Sequence, residues 1–463
     1  MPDSWASSGL DLHVDATGSR RRASLEEGLR AAIQSRRLAA GTVLPSSRVL
    51  AEDLGLSRGT VAAAYDQLVA EGYLITRHRA GTEVADLGPV AKPVERRRKA
   101  PATRLDLRPG TPDVTSFPVA EWLRCARRAL GQAPVSAYGY GDMRGRFELR
   151  CALADYLGRT RGVEARPETV VITAGATQAL SLLCAALARA GSSIIAMENP
   201  GFNFHRAVAR QAGQRVTAMP VDDQGADPDC LHDVAAAVVT PAHQYPTGVT
   251  MHPTRRQAFT AWARTNGGLI IEDDYDGEFR YDRQPIGALQ GTAADHVAYV
   301  GTASKTLGPG VRLGWMVLPP RLIAPVTAAK QNADMGTDTI AQLTLAELIT
   351  SHGYDRHIRT MRLRYRRRRD VLITALEQIQ PHLIIGIPAG LQTVIRLPSG
   401  GPTEDELIAL AAAEGLALEG LGDHWHGKRA DRQGLIIGFC RPSERAYPAA
   451  VALLARVLHR ALR

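Results

Sequence analysis

The chain has 463 residues, 45% of them hydrophobic and 22% charged, a balance that excludes a wholly disordered or fibrous protein. Its 56 Lys and Arg against 47 Asp and Glu leave a formal charge of +9, which favours a polyanionic partner without naming one. Cys125, Cys151, Cys184, Cys230 and Cys440 are odd in number and follow no disulfide or metal-knuckle spacing, so a reducing, cytoplasmic setting is expected.

In chain order, the opening MPDSWASSGLDLHVD has no apolar core segment and does not read as a signal peptide. No uncharged apolar run approaches the length of a membrane span. Residues 15–84 read as three helices and a hairpin. Leu25, Leu29, Ile33 and Leu38 form a helical stripe that Gly41 ends. Ser46, after Pro45, caps a second helix with Val49, Leu50 and Leu54 inward, and Gly55 breaks it. Ser57 caps a third, with Val61, Tyr65, Leu68 and Val69 inward, and Gly72 stops it. Tyr73–Ile75 and Thr82–Val84 are short strand candidates around a basic tip, Arg77-His78-Arg79.

Two short helices around Gly55-Leu56 make a helix-turn-helix candidate whose second helix would enter the major groove by its N-terminal end. Arg58 could fork onto a guanine edge, and Thr60 could touch a base or a phosphate. Ser46 and Ser57, at helix starts, and Arg48 would grip phosphates. Arg77, His78 and Arg79 would reach the DNA backbone or the minor groove. Each residue alone also fits a plain cap or a solvated turn. The DNA reading rests on the agreement of spacing, caps, turn and tip.

Residues 85–104 read as a linker, with Pro89, Pro93, Pro101 and the run Arg96-Arg97-Arg98-Lys99. Beyond it, Val170–Thr173, Ser193–Ala196, Ala236–Thr240, Leu269–Ile271, Val297–Val300 and Leu313–Leu318 are strand candidates, most of them separated by helical patterns. That layout is α/β, with a mostly parallel sheet covered on both faces. From about residue 346 a long basic helix leads into a smaller α+β lobe. Eight arginines, at 356, 359, 362, 364 and 366–369, cover most faces of that helix. A solvated helix paired with acids at an interface, or a face that tracks DNA, both fit them.

The same stretch collects residues that make sense around one ligand. Gly175-Ala176-Thr177 follows a strand and opens a helix, where backbone N–H groups can meet a phosphate. Asp273 lies at the carboxyl end of a parallel strand, where open sheets bind ligands, and suits a protonated ring nitrogen. Lys305, the only lysine between Lys99 and Lys330, follows another buried strand and could form an imine with an aldehyde. Arg312 could hold a phosphate, and Thr302 and Ser304 supply hydroxyls. Together they spell pyridoxal 5′-phosphate (PLP). TAGATQA fails the glycine fingerprint of a nicotinamide site, and no metal-ligand set competes.

The stretch AGTVLPSSRVLAEDLGLSRGTVAAAYDQLVAEGYLITRHRAGTEV resembles the winged helix-turn-helix of GntR-type bacterial regulators, with Arg79 in place of the first glycine of the usual Gly-x-Gly wing tip. Residues 105–463 resemble fold-type I aminotransferases through YGYGDMRGRFELR, TAGATQAL, ENPGF, TPAHQYPTG, IEDDYDGEFRY and GTASKTLGPGVRLGW. This second resemblance implies Lys305 as the Schiff-base lysine and Asp273 as the partner of the pyridine nitrogen. It implies Tyr275 as donor to the ring hydroxyl, and Arg312, Ala176, Thr177 and Thr302 as the phosphate site. Phe202 would stack near the ring, and His243, Gln244 and Tyr245 occupy the loop beside it. At the position where such enzymes usually carry the carboxylate-clamping arginine stands Ile436, with Arg441 past it, and Gln392 replaces a frequent histidine.

The two halves together resemble MocR/GabR-class regulators. The resemblance implies a head-to-tail homodimer bound to operator DNA with repeated or palindromic half-sites, and a small-molecule effector. Direct PLP sensing and control of vitamin B6 synthesis genes is the leading expectation. A regulator that senses an amine or amino acid joined to PLP, and a working aminotransferase with a DNA-binding head, are the alternatives. Turnover is left open. A cytoplasmic protein that joins the nucleoid when bound to DNA is expected.

Overall fold

The computed structural model describes residues 21–77, 81–88, 105–281, 286–380, 384–398, 400–427 and 433–462. The chain divides into two compact units, Met1–Lys99 and Ala100–Arg463. His78 and Arg79 of the expected wing tip, and nearly all of the expected linker, lie outside the described residues. No described helix is long and apolar enough to cross a membrane.

The first unit holds α1 (Arg21–Gln34), α2 (Ser47–Asp53), α3 (Arg58–Ala70) and the hairpin β1 (Leu74–Arg77) and β2 (Gly81–Val84). Leu25, Leu29, Ile33, Leu50, Val61, Tyr65 and Leu68 form one core. The first helix ends earlier than the Gly41 stop expected from the sequence. The Ser35 hydroxyl donates to the Ala31 carbonyl at 2.7 Å, and Arg36 turns left-handed at φ 59°, so Leu38 reaches the core from a loop. Gly41, at φ 80°, serves instead to start a segment paired with the wing, with the Gly41 N–H on the Val84 carbonyl and the Leu44 N–H on the Thr82 carbonyl.

The second unit runs β3 (Leu105–Asp106), α4 (Val119–Gln132), α5 (Phe147–Arg161), β4 (Val170–Thr173), α6 (Ala176–Arg189), β5 (Ile194–Asn199), α7 (Asn203–Gln211), β6 (Arg215–Asp222) and β7 (Gly225–Ala226). It continues through β8 (Ala236–Val239), α8 (Pro253–Asn266), β9 (Leu269–Asp273), β10 (Val297–Thr302), β11 (Gly314–Val317), α9 (Pro320–Asp334), α10 (Thr339–Thr350) and α11 (Gly353–Glu377). It closes with β12 (Ile384–Ile385), β13 (Gln392–Arg396), α12 (Glu404–Ala413), β14 (Leu416–Ala417), β15 (Glu419–Gly420), β16 (Gly434–Gly438) and α13 (Tyr447–Ala461).

The main sheet has the order β4-β11-β10-β9-β8-β5-β6-β7. Strands β10, β9, β8, β5 and β6 are mutually parallel, and the first four are buried on both faces, as their apolar runs require, while β6 is largely half-exposed near the sheet edge. No α-helix separates β10 from β11, and β11 returns antiparallel, with Thr302 opposite Gly314. The carboxyl ends of β5, β8, β9 and β10 and the start of β11 therefore open on one edge. A smaller antiparallel sheet, β12-β13-β16-β15, packs with α11, α12 and α13 around Tyr365, Leu407, Ile437 and Leu454. Leu107 joins that core, and β3 pairs parallel with β14, so the first strand of the body is tied into the last lobe. Leu345, Leu348, Tyr354 and Ile358 pack instead into the core of the large lobe.

Candidate cofactor site and nucleic-acid interface

At the strand edge lies a cavity of about 360 Å³ lined by Gly175, Ala176, Thr177, Phe202, Asp273, Tyr275, Thr302, Ser304, Lys305 and Arg312. Ten residues singled out in the sequence thus converge on one space. They do so because parallel strands deliver their last residues to the same edge.

The Asp273 carboxyl sits at the end of β9. Its Oδ1 is buried with no hydrogen-bond partner, and its Oδ2 is 3.8 Å from the His205 Nδ1. Burial pushes the carboxyl up to about 7, against the pull of Lys305, with Asp274, Asp276 and Glu198 adding to the rise. Burial and the neighbouring Lys305 push His205 down to about 4, so its ring is neutral at pH 7. Lys305 Nζ donates to the Gly110 carbonyl at 2.6 Å. Burial lowers its pKa, while Asp273 and Asp276 oppose the shift.

Tyr275 is held from two sides. Its oxygen accepts from the Gln392 amide at 2.9 Å and stands 3.0 Å from the His243 Nδ1. That His nitrogen also faces the Asp276 carboxylate at 2.8 Å, which calls for a proton on Nδ1. With the Nδ1 proton directed to Asp276 and the Gln392 amide donating, neither neighbour offers an acceptor, and the tyrosine O–H is left to point into the cavity. Gly390, at φ 71°, backs the arrangement: a Cβ there would lie 2.0 Å from the His243 ring. His243 and Gln244 themselves do not line the cavity. Gln244 is a buried strut, donating to Glu198 at 3.0 Å and to the Pro200 carbonyl at 2.9 Å. Tyr245 does line the space, edge-on to Phe202 with ring centroids 5.4 Å apart.

The opposite end is a cup. The first turn of α6 presents backbone N–H groups without helical partners. The Arg312 guanidinium packs over Gly175, at 3.6 Å from where a Cβ would sit. Arg312 holds a left-handed backbone at φ 54°, and its side chain makes no hydrogen bond or ion pair among the described residues. Thr302 and Ser304 bring their hydroxyls within 2.9 Å of each other beside it.

An orphaned buried carboxylate oxygen, an unpaired arginine over a helix N-terminus and a half-buried lysine between them fit PLP. Lys305 would meet the aldehyde, Asp273 the ring nitrogen, Tyr275 the ring hydroxyl, and Arg312 with the α6 N-terminus the phosphate. When bound, the group supplies an electrophilic carbon and an electron-withdrawing ring. The chain's part is to hold it, keep a proton opposite Asp273 and shield the lysine from water. Among the described residues no cluster of three metal-ligating side chains exists.

Sequence reasoning missed Glu198, His205, Arg206, Gly110 and Glu419, all of which line the same cavity. Glu198 is buried beneath Thr240, which donates to it from its hydroxyl at 2.5 Å and its N–H at 2.9 Å, and burial lifts its carboxyl to about 7. Arg206 spends its two amino nitrogens on the carbonyls of Gly201, Asp423, His424 and Trp425. Glu419 Oε1 faces His424 Nε2 at 3.1 Å. Glu198 opens the motif ENPGF, but no local pattern marks the other four.

In the first unit, Ser46 accepts from the Val49 N–H at 3.3 Å, and Ser57 from the Thr60 N–H at 3.1 Å, so both serines cap their helices. The Ser57 and Thr60 hydroxyls are also 2.7 Å apart. Arg48 and Arg58 are exposed and have no partner among the described residues. Arg77 pairs with Glu83 across the hairpin at 2.5 Å.

Comparisons with known proteins agree with both halves. Residues 21–84 match the bacterial regulatory proteins of the gntR family, and residues 105–417 match aminotransferase class I and II. The chain is 34% identical over 421 residues to the HTH-type pyridoxine biosynthesis transcriptional regulator PdxR of Corynebacterium glutamicum, covering 90% of this chain and 91% of that one. It is 33% identical over 460 residues to the probable rhizopine catabolism regulatory protein MocR of Rhizobium meliloti, covering 93% and 91%. Kynurenine aminotransferase of Pyrococcus horikoshii, solved with PMP, shares the fold at a TM-score of 0.70 and 25% identity, covering 78% of this chain and 92% of that one. The chain belongs to the MocR/PdxR-type transcriptional regulators, PLP-dependent proteins with a GntR-type DNA-binding head on an aminotransferase class I and II body.

Proposed function

We propose that this regulator senses PLP itself and controls genes of vitamin B6 synthesis. The observation that carries the reading is at the substrate end of the cavity. By the resemblance, Ile436 takes the position at which aminotransferases of this fold carry an arginine for the substrate carboxylate. It is fully buried against Val394 and Leu421, and its cross-strand neighbour on β15 is Glu419. The cofactor-facing residues are kept while the grip on an amino acid is replaced by a carboxylate. The printed role of the Corynebacterium relative, in pyridoxine biosynthesis, supports the same reading.

Lys305, Asp273, Tyr275 and Arg312 hold the effector, and Arg48, Arg58, Thr60 and the helix starts at Ser46 and Ser57 contact DNA. The protein works as a head-to-tail homodimer in the cytoplasm, on an operator with repeated half-sites. Exposed apolar side chains along the second unit support pairing: Leu123 is 58% exposed, Val135 88% and Tyr140 86%.

Affinity for the DNA upstream of the organism's PLP-synthesis genes, measured against PLP concentration, tests the reading. Wild type is expected to change affinity with PLP, and Lys305→Ala to keep basal binding while losing most of the response. Equal responses, or a response to an amine and not to PLP, would overturn it.

A further inference from the structure

A second concavity, of about 560 Å³, lies on the body between α5 and the first turns of α11. Arg159, Arg161, Arg356, Arg359 and Arg362 line it, with Glu278 and Asp355 as the acids in the wall. The arginines differ in how they are used. Arg161 is a buried strut, bonded through Nε at 2.7 Å and Nη2 at 2.9 Å to the two oxygens of Asp274. Arg159 pairs with Asp355 at 2.9 Å, and Arg356 with Glu121 at 3.3 Å. Arg362 spends only Nε, on the Glu278 carbonyl at 2.8 Å. Arg359 is exposed and has no hydrogen bond or ion pair among the described residues.

We propose that this concavity is a binding site for a small phosphate-bearing anion, gripped by Arg359 and Arg362. Residues 356, 359 and 362 fall three apart on one helix face, so three cations stand in adjacent turns. Like charges at that spacing destabilise a helix, and a phosphate, whose oxygens can accept two parallel bonds from a planar guanidinium, relieves them. Guanidinium forks suit phosphate better than a point charge does. The concave shape favours a compact ligand over a DNA backbone, which follows a ridge. The exposed Arg366 and Arg367 of the same helix lie outside the lining.

The site also has a physical route to the cofactor cavity. Its floor is Arg161 and Glu278, and Arg161 holds Asp274, the residue after Asp273. Tyr299 donates to the same Asp274 at 2.7 Å. An anion drawing on this cluster would change the field at Asp273, and bound PLP would change the anion's affinity by the same factor.

The test uses the full-length, PLP-saturated protein titrated with inorganic phosphate and with pyrophosphate at constant ionic strength, followed by calorimetry and thermal unfolding. Wild type and Arg366→Gln are expected to bind saturably, with Arg359→Gln at least tenfold weaker and Arg359→Lys in between. Equal behaviour of all four proteins, or no saturable binding, would overturn the site. Affinity for a non-operator duplex at fixed salt is measured in parallel. If Arg359→Gln weakens only duplex binding, these arginines serve DNA phosphates and the small-anion site is wrong.

Discussion

Asp273 shows what a cofactor site costs an empty protein. Its carboxyl is buried with one oxygen unpartnered, and burial lifts it to about 7 from an ordinary 3.8. The folded pKa lies above the unfolded one, so between those values the folded chain binds the extra proton. Stability of the PLP-free protein therefore falls through this group as pH rises from about 4 to about 7, and the cost is fully present above that. Replacing Asp273 by Asn removes the titration. Denaturant unfolding of PLP-free protein should find the variant more stable than wild type, by a margin about 1–2 kcal/mol larger at pH 8 than at pH 5.5. A margin that does not grow with pH would show that the carboxyl is solvated. With PLP present the order should reverse, because the asparagine cannot balance a protonated ring nitrogen.

Glu419 leads to a second expectation at this scale. It lines the cavity beside Tyr245 and His424, on the strand opposite Ile436. A carboxylate there repels the carboxylate of an amino acid but not a plain alkylamine. In the PLP-loaded protein, Glu419→Gln should raise apparent affinity for L-alanine about tenfold and leave that for ethylamine unchanged, read by absorbance. Lys305 and Asp273 were legible in the sequence because each lies at or a few residues past the end of an apolar run, and parallel strands send such residues to one edge. Glu419 and Gly110 were not. Gly110 meets Lys305 across 195 residues of chain, and Glu419 arrives on a two-residue strand with no pattern of its own.

At the scale of elements, turns and helix starts set the function. Gly175 takes φ +104° at the start of α6, and Arg312 packs directly over it. Gly175→Ala would strain that backbone and press on the guanidinium, so PLP affinity should fall about tenfold or more while the fold survives. Equilibrium dialysis measures this, and unchanged affinity would remove Gly175 and Arg312 from the phosphate cup. In the first unit, Ser57 and Arg58 are neighbours with separable roles. Ser57→Ala loses a helix cap and should cost about 1 kcal/mol of stability. Arg58→Gln loses no internal contact, so it should weaken operator binding at unchanged Tm. The three helices and their caps were readable from serines, glycines and apolar spacing. The stop of α1 was not, because Ser35 and Arg36 end it through a side-chain bond and a left-handed turn that composition does not signal.

At the scale of the molecule, the exposed apolar surface calls for a partner. Val119, Leu123, Val135, Tyr138, Tyr140 and Phe147 are each more than half exposed, all within 29 residues of chain. Such a density of large apolar side chains facing water is rare on a monomer. A second copy is the occupant favoured here, because a two-fold pair would also match two DNA half-sites. Val135→Asp with Tyr140→Asp places charge on the two most exposed positions. Neither side chain packs in a core of its own unit, so the folded subunit should keep its far-ultraviolet spectrum. Sedimentation should then show a shift from dimer to monomer. Operator affinity should drop by more than either head alone would explain, since two linked heads bind with an effective concentration that a monomer lacks. A variant that stays dimeric and binds its operator as before would place the interface elsewhere on the body, and leave these side chains to be covered by something other than a second copy of the chain.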